Sequence, residues 1–343
     1  MLIRTADYSD AFCCLAGACP HTCCAKWEVV IDEETARRYQ AVPGALGEKL
    51  RRALCRDEEG EFGFLLEGER CPFLDRDQLC EIHRTLGENA TSITCREHPR
   101  FVEDYGPFRE VTLAASCPEA NRLLLASQAP LTFVERETAE PVEPGDEWLS
   151  WLVPLRAYML ALLGRRQVPL RTRLKEFLEL AEAVQPHIDA GQTQTIPEWL
   201  GGWKPLRGKE PRKEGPGLFP QALYLLEGLE ALEGDWKALL KQAAAAAPRS
   251  QPEALLERIA VYFAFRYLLK AVNDGELLGR AQLCVLCVLA VERLAAVCGL
   301  PEALRRFSCE VEHSEENLEA LLEALCRLEA FSPERFWEEL SAG

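Results

Sequence analysis

The chain has 343 residues, of which 48% are hydrophobic and 27% are charged, a balance typical of a globular protein long enough for two domains. Its formal net charge of −16 gives no electrostatic support for nucleic-acid binding. An acidic surface instead favours a basic partner, such as a protein that presents lysines.

The first residues carry no secretory signal, because Arg4, Asp7 and Asp10 interrupt any apolar segment. The longest apolar run, over residues 281–291, falls short of the roughly 18 apolar residues that cross a membrane. We therefore predict a cytoplasmic protein. Thiols stay reduced in that compartment, and clustered cysteines there bind metal more often than they form disulfides.

Cysteine density divides the chain, since ten of the fifteen cysteines fall within the first 117 residues. We predict a cysteine-rich metal- or iron–sulfur-binding domain over residues 1–127, a linker or surface crossing over residues 128–146, and a helical domain over residues 147–343. The expected fold is mainly α, with a small cysteine-rich α+β N-terminal domain packed on a larger all-helical C-terminal domain.

Short elements are predicted in the first part. Residues 27–31 have the composition of a strand, and Asp32 is a suitable N-cap for a helix over residues 33–39. Residues 61–66 and 108–115 are candidates for two further short strands.

Helices are predicted throughout the second part, where apolar residues recur every three or four positions. The predicted ranges are 147–163, 170–187, 220–246, 252–273, 277–299, 301–306, 315–330 and 333–341. Residues 201–220 form the longest irregular stretch and contain five glycines, four prolines and five basic residues. A loop of this length in a compact domain is either functional or mobile.

The N-terminal cysteines are too dense for core packing. Cys13, Cys14, Cys19, Cys23 and Cys24 place five thiols within twelve residues. Thiolates are soft ligands, and four of them complete a zinc site or hold one [4Fe–4S] cluster. The adjacent pair is not expected to place both side chains on the same metal.

Eight cysteines are candidate metal ligands, namely Cys14, Cys19, Cys23, Cys24, Cys71, Cys80, Cys95 and Cys117. Eight thiols allow two four-ligand sites, or one cluster together with structural thiols. Spacing alone does not choose between zinc and iron. Taken singly, each of the last four is equally compatible with an ordinary buried cysteine. Cys284 and Cys287 share one helix face but lie among Leu, Val and Ala, which favours core packing.

The cysteines belong to a longer pattern that reads Phe12-x-Cys14-x4-Cys19-x3-Cys23-Cys24-x2-Trp27, then Ile31-Asp32, Cys71-x-Phe-Leu, Cys80-x-Ile and Thr94-Cys95-Arg96-x2-Pro99-Arg100. This pattern resembles the flagellin lysine-N-methylase family and a wider group of cysteine-rich proteins that chelate zinc or iron. Residues 261–275 are also similar to that family's C-terminal helical region, so the resemblance extends over most of the chain.

The resemblance implies S-adenosylmethionine-dependent methylation of surface lysines on flagellin, the protein of the bacterial flagellum. It also implies an iron–sulfur cluster on the N-terminal cysteines, with zinc as the alternative. His21 and His98 depart from the family pattern, which often has an acidic residue at the first position and an aromatic residue at the second. The sequence leaves open whether either histidine is an added ligand.

No motif locates the methyl donor, because no glycine-rich turn follows a strand as in nucleotide-binding folds. Three arginines are candidates to hold the carboxylate of the methionine moiety, although salt bridges explain them equally well: Arg96, Arg100 and Arg266. Four residues are candidates for a base or a substrate contact, although each is also compatible with a structural role: Glu97, Tyr262, Tyr267 and Asp274.

Three functions fit the sequence. The first is a protein-lysine N-methyltransferase that acts on flagellin. The second is a non-enzymatic zinc- or iron–sulfur-binding module that senses redox state or binds a partner. The third is a scaffold stapled by zinc. The helical part favours the first function, because a chelating module alone would not need it.

Overall fold

A computed structural model describes residues 1–25, 29–57, 60–68, 70–205 and 217–342. Residues 27 and 28 of the predicted strand lie outside the described residues, as do residues 206–216 of the predicted irregular stretch. Within this part of the chain the fold is mainly α, with small sheets in the N-terminal region, as the sequence predicts.

Short strands and helices alternate over the first 137 residues. In chain order they are β1 (Leu2–Ala6), β2 (Val30–Ile31), α1 (Glu33–Ala41), α2 (Gly44–Ala53), β3 (Leu54–Arg56), β4 (Phe62–Phe64), α3 (Glu81–Leu86), α4 (Ile93–Glu97), β5 (Arg100–Asp104), β6 (Phe108–Leu113), α5 (Pro118–Leu125) and β7 (Phe133–Glu137).

Helices follow in the second part, over residues 147–205 and 217–342. They are α6 (Leu149–Leu163), α7 (Leu170–Asp189), α8 (Ile196–Gly202), α9 (Leu218–Gly228), α10 (Trp236–Ala245), α11 (Glu253–Tyr267), α12 (Ala271–Asp274), α13 (Leu277–Cys298), α14 (Leu300–Glu312), α15 (Glu315–Arg327) and α16 (Pro333–Ala342).

The strands form two sheets. The larger has the order β5-β6-β1-β7, in which β1 pairs parallel with β6 and antiparallel with β7. The smaller is antiparallel, with the order β2-β4-β3. The range predicted as a linker, residues 128–146, contains β7, which joins the N-terminal strand before the chain reaches α6.

The single helix predicted over residues 220–246 is wrong, because the chain breaks between α9 and α10. Side chains from other helices satisfy the backbone of the break. The carboxylate of Glu310 accepts hydrogen bonds from the amides of Leu232 and Glu233, each at 2.7 Å. Asn317 Oδ1 accepts a hydrogen bond from the amide of Glu230 at 3.0 Å. These partners are distant in sequence, so local periodicity does not reveal them.

The buried apolar side chains of the described residues form two clusters. The larger, which we call the main core, joins the four-stranded sheet to the helices of the second part. The smaller, which we call the small core, lies between α1, α2 and the three-stranded sheet. Its nine buried side chains are Val29, Ile31, Ala36, Tyr39, Leu50, Ala53, Phe64, Phe73 and Ile82. A core of this size gains much from a cross-link or a bound metal.

Helix α13 lies at the centre of the main core, in contact with α7, α11, α14 and α15. It is longer than the apolar run seen in the sequence, and by length and composition it could cross a membrane. However, 72% of its apolar window is buried inside the protein. Its polar residue Gln282 is buried and donates a hydrogen bond to the carbonyl of Phe331 at 2.6 Å. These contacts are those of a core helix.

Candidate metal centre

Residues 12–24 form a loop that carries the first cysteines and contains one 3-10 turn, Ala16–Ala18. Cys14 Sγ accepts a hydrogen bond from the amide of Ala16 at 3.4 Å, and Ala16 adopts a left-handed conformation with φ of 46°. Gly17 packs so closely on the loop around Asp77 that a Cβ atom would lie 2.7 Å from the Asp77 carbonyl oxygen. This packing fixes the segment between Cys14 and Cys19 against its neighbour.

Cys71 and Cys80 flank a tight turn. The amide of Leu74 donates to the carbonyl of Cys71 at 3.0 Å, and Leu74 forms an isolated β-bridge with Cys80. Both cysteines pack against the small core. The amide of Cys71 donates to the carbonyl of Cys24 at 2.9 Å. The turn therefore places two cysteines beside the end of the N-terminal cysteine loop.

Cys95 lies on the short helix α4. Ser92 Oγ caps this helix by accepting a hydrogen bond from the amide of Cys95 at 3.2 Å. Asp32 accepts hydrogen bonds from the amide of Ile93 at 3.1 Å and from the amide of Thr35 at 2.8 Å. Asp32 therefore caps α1, as predicted. Its carboxylate also links the start of α1 to the helix that carries Cys95.

Cys117 is the N-cap residue of α5 and packs against the main core. The two residues before it are bound to the helical part of the chain. Ser116 Oγ forms a hydrogen bond with His313 Nε2 at 2.6 Å, and the amide of Ala115 donates to the hydroxyl of Tyr262 at 3.3 Å. The helical part therefore fixes the backbone that presents this cysteine.

Four thiols lie within electrostatic reach of one another. The pKa of Cys71 is raised to about 12, chiefly by burial and in part by charge on Cys24, Cys80 and Cys95. Burial raises the pKa of Cys95 to about 11, with additional effects of Cys24 and Cys80. Cys95 is exposed as a residue, but protein atoms crowd its thiol. We call Cys24, Cys71, Cys80 and Cys95 the inner set.

Among the remaining four cysteines, Cys14, Cys19 and Cys117 influence one another. Burial raises the pKa of Cys117, and charge on Cys19 and Cys14 raises it further. Burial also raises the pKa of Cys19, with an added effect of Cys14. Cys23 is within reach of Cys14 as well as of the inner set. We call Cys14, Cys19, Cys23 and Cys117 the outer set.

Cys23 and Cys24 form the junction between the two sets. A hydrogen bond between their sulfur atoms is the largest cause of two opposite shifts, since it raises the pKa of Cys23 and lowers the pKa of Cys24 to about 7. The positive charge of Arg70 also lowers the pKa of Cys24. Cys24 therefore ionises near neutral pH, and the thiolate is the form that binds metal.

The donor chemistry of these residues fits a soft metal. All fifteen cysteines of the chain are free of disulfides, and the eight candidate ligands offer sulfur only. Within the ranges that the structure describes, no three histidine, cysteine, aspartate or glutamate side chains already have the arrangement of a metal site. Metal binding must therefore draw the thiols closer together, as is common where binding and local ordering are coupled.

No family model matches the chain, and no solved structure matches it. Curated proteins do match. The chain is 28% identical over 131 residues to the lysine-N-methylases of Salmonella typhimurium and Salmonella choleraesuis. Over this segment the chain is similar to lysine-N-methylases at low identity. It is also 28% identical over 133 residues to the flagellar biosynthetic protein FliU of Salmonella muenchen.

These matches cover 36–37% of this chain, so the resemblance predicted over most of the chain is found over about a third of it. They cover 79% of the FliU protein but 33% of each lysine-N-methylase. The chain thus matches about a third of the length of the curated lysine-N-methylases.

The three arginines predicted to contact a carboxylate have different surroundings. Arg96 is bound within its own loop, where its guanidinium donates to the carbonyl of Thr91 at 2.7 Å. Arg266 is buried and forms an ion pair with Glu312 at 2.7 Å. Arg100 is exposed, and its guanidinium lies 5.5 Å from the ring centre of Phe12 in the cysteine loop.

Tyr262 and Tyr267 belong to a buried polar network centred on Glu312. The Glu312 carboxylate accepts hydrogen bonds from Tyr262 at 3.0 Å, from Tyr267 at 3.1 Å and from Ser308 at 2.5 Å. Burial raises the pKa of both tyrosines well above their usual range, so their hydroxyls stay protonated. The network is buried, and both tyrosine hydroxyls donate to Glu312.

Phe101 and His313 lie between this network and the segment that carries Cys95. The Arg266 guanidinium carbon lies 3.3 Å from the ring centre of Phe101, on the strand that follows Cys95. The His313 ring lies 5.3 Å from Phe101 and 5.9 Å from His98. The sequence analysis did not identify Ser308, Glu312 and His313 as members of this network. The feature that could have indicated them is a run of polar residues near the end of a strongly amphipathic helix.

The remaining predicted residues lie at the surface. Glu97 is exposed at the end of α4, two positions after Cys95. Asp274 is exposed at the end of α12 and forms an ion pair with Arg280. His21 is also exposed, and its carbonyl accepts a hydrogen bond from the thiol of Cys19 at 3.2 Å.

Proposed function

We propose that this chain is a cytoplasmic, S-adenosylmethionine-dependent protein-lysine N-methyltransferase that acts on flagellin, with an iron–sulfur cluster held by its N-terminal cysteines. The observation that carries the proposal is the similarity to lysine-N-methylases in a chain that carries eight framework cysteines, two of which, Cys71 and Cys24, are joined by a backbone hydrogen bond. The similarity to a flagellar biosynthetic protein supports a substrate of the flagellum.

Methyl transfer requires a neutral lysine amine, because a protonated amine has no free electron pair. The amine nitrogen attacks the methyl carbon of the sulfonium donor, and the bond from that carbon to sulfur breaks with its electron pair on sulfur. The methylated amine then loses a proton to a base or to water. When bound, the cluster supplies redox or Lewis-acid chemistry beside this reaction.

A base and a donor-binding arginine must both be accessible to substrate, so the exposed candidate residues near the cysteines suit methyl transfer better than the buried ones. Glu97 is accessible to solvent and lies on the same short helix as Cys95, so we assign it as the candidate base. Arg100 is accessible and lies beside the cysteine loop, so we assign it to the carboxylate of the methyl donor. Arg96, Arg266, Tyr262 and Tyr267 are already engaged within the protein.

The test is methyl transfer from S-adenosylmethionine, labelled in its methyl group, to unmethylated flagellin by anaerobically purified protein. Peptide mass spectrometry is expected to find methyl-lysine only when donor and protein are both present. Arg100→Ala is expected to raise the KM for the donor about tenfold or more. Arg122→Ala, an exposed arginine on α5, is the matched control and should behave as wild type. Failure of protein with its full metal content to methylate flagellin would contradict the proposal.

A second function is favoured by the small core, whose nine side chains would benefit from a metal staple. In this case the chain is a zinc- or iron–sulfur-binding module without enzymatic chemistry. Colourless protein with stoichiometric zinc and no methyl transfer to flagellin would favour that function over the methyltransferase.

A further inference from the structure

We propose that a cavity in the helical part of the chain binds an amphiphilic anion, a small molecule with a carboxylate or phosphate head and an apolar body. The cavity has a volume of about 780 Å³, which is within the range of small-molecule sites. Its lining residues lie between Pro169 and Ala342, so it is separate from the N-terminal cysteines. The inference therefore depends neither on a metal site nor on methyl transfer.

The floor of the cavity is apolar. Four helices, α7, α11, α13 and α16, supply its side chains, so distant parts of the sequence build one surface. The buried side chains of the floor are Leu170, Leu174, Leu256, Val288, Leu289 and Leu340. An alkyl chain that lies on this floor is removed from water, which favours a ligand with an apolar body.

Arg293 on α13 supplies a cation beside this floor. Its guanidinium carbon lies 4.8 Å from the ring centre of Phe219, which also lines the cavity. The Nε atom of Arg293 is buried and has no hydrogen-bond partner among the residues that the structure describes. A buried donor without a partner costs free energy, and an anionic oxygen in the cavity would satisfy it.

Lys175 on α7 supplies a second cation. Its Nζ donates a hydrogen bond to Ser341 Oγ at 2.6 Å, and that hydroxyl donates to the carbonyl of Trp337 at 2.6 Å. An ammonium carries three donors, so this contact leaves capacity for a ligand. Burial, followed by the charge of Arg171, lowers the pKa of Lys175. A bound anion would raise that pKa again, so the charged lysine and the anion stabilise each other.

The balance of charge in the cavity differs from that of the whole chain. Three carboxylates line it, namely Glu253, Glu292 and Glu339. Glu253 accepts a hydrogen bond from the amide of Leu170 at 2.8 Å, and Glu292 forms an ion pair with Arg171 at 2.9 Å. Arg249 adds a cation at the exposed rim. Four cationic side chains thus face three anionic ones in a chain of net charge −16, which favours an anionic head.

The experiment measures binding to the full chain by isothermal titration calorimetry. Four probes separate the head from the body: decanoate, decyl phosphate, 1-decanol and inorganic phosphate. Decanoate or decyl phosphate is expected to bind about tenfold more tightly than both 1-decanol and inorganic phosphate, because only these two probes use the cations and the apolar floor together. The tighter of the two identifies the head that the cavity prefers.

Variants locate the binding in this cavity. Arg293→Gln and Lys175→Gln are each expected to weaken binding of the preferred probe about tenfold, because each removes a charged hydrogen-bond donor. Lys175→Arg keeps the charge and should bind more tightly than Lys175→Gln. Lys237→Gln, at an exposed position of α10, is the matched control and should bind as wild type. Circular dichroism checks the fold of each variant, and the two glutamine substitutions lie on different helices so that either can serve alone.

Two results would overturn the proposal. Equal affinity of wild type for 1-decanol and for both anionic probes would show that the cations do not contribute to binding. Unchanged affinity in a folded Arg293→Gln or Lys175→Gln variant would show that the probe binds elsewhere. Absence of binding by either anionic probe at millimolar concentration would likewise contradict a site for an amphiphilic anion.

Discussion

The amide of Cys71 donates a hydrogen bond to the carbonyl of Cys24 at 2.9 Å, which joins the end of the N-terminal cysteine loop to the turn that carries Cys71 and Cys80. This contact places thiols from distant parts of the sequence on one face of the small core. The cysteines, the loop that carries them and the buried network around Glu312 give four predictions.

The first prediction concerns the reactivity of Cys24. In chelator-treated protein, iodoacetamide should label Cys24 much faster than Cys71, because the pKa of Cys24 is lowered to about 7 and that of Cys71 is raised to about 12. The labelling rate of Cys24 should rise between pH 6 and pH 8, as its thiolate forms. Removing the donated hydrogen bond by Cys23→Ala should slow the labelling at pH 7. Equal rates at Cys24 and Cys71 would refute the electrostatic description.

The second prediction concerns the packing of the cysteine loop. Gly17→Ala should destabilise the metal-loaded protein by about 1–3 kcal/mol, because the new Cβ would lie 2.7 Å from the Asp77 carbonyl oxygen. It should also weaken metal retention by the outer set. Gly228→Ala is the control, since nothing lies within 4 Å of the Cβ there. Urea unfolding and metal release to a chelator are the measurements, and similar behaviour of both variants would contradict the expected clash.

The third prediction concerns the buried ion pair. Glu312→Gln should lower the free energy of unfolding by roughly 3–5 kcal/mol, because Arg266 would be left buried without its counter-charge. Glu319→Gln, at an exposed position of α15, should change it by less than about 0.5 kcal/mol. Denaturant titration measures both. A loss below about 1 kcal/mol in Glu312→Gln would show that the network does not depend on this carboxylate.

The fourth prediction concerns pH. Burial, followed by the charge of Arg266, lowers the pKa of His313 to about 4, and burial with the charge of His313 lowers the pKa of His98 to about 4. The unfolded chain therefore binds more protons than the folded chain between about pH 6.5 and pH 4, so acidification favours unfolding. Each histidine should lower the free energy of unfolding by about 2 kcal/mol as the pH falls from 7 to 5.

The variant His313→Gln should have a shallower dependence of stability on pH over this interval. His83→Gln, at an exposed position, should leave the dependence as in wild type. Denaturant unfolding at pH 7, 6 and 5 measures the slopes. Equal slopes for His313→Gln and wild type would contradict a buried, neutral His313.

Much of the fold follows from local sequence. The N-cap at Asp32, the strand before Cys117 and the long helices of the second part lie where capping residues and apolar spacing place them. The break between α9 and α10 does not follow, because its backbone partners Glu310 and Asn317 come from distant helices. Local patterns do not contain such tertiary hydrogen bonds.

The candidate site, too, depends on tertiary contacts that local sequence patterns do not contain. The cysteine pattern indicates candidate ligands, but it does not reveal that Cys71 and Cys80 pack against the small core whereas Cys117 packs against the main core. Tyr262, Tyr267 and Arg266 were candidates for chemistry, and the structure engages them in a network around Glu312. No sequence motif marks Glu312. Its role is seen only in the structure, where four side chains contact its carboxylate.

The most direct measurement of the central claim is the content of iron, sulfide and zinc per chain in protein purified without oxygen. Wild type and Cys298→Ser should contain stoichiometric metal, and Cys24→Ser should lose part of it while remaining folded. A folded wild-type protein from metal-replete cells that contains neither iron nor zinc would contradict a metal role for the cysteines, and with it the methyltransferase that depends on them.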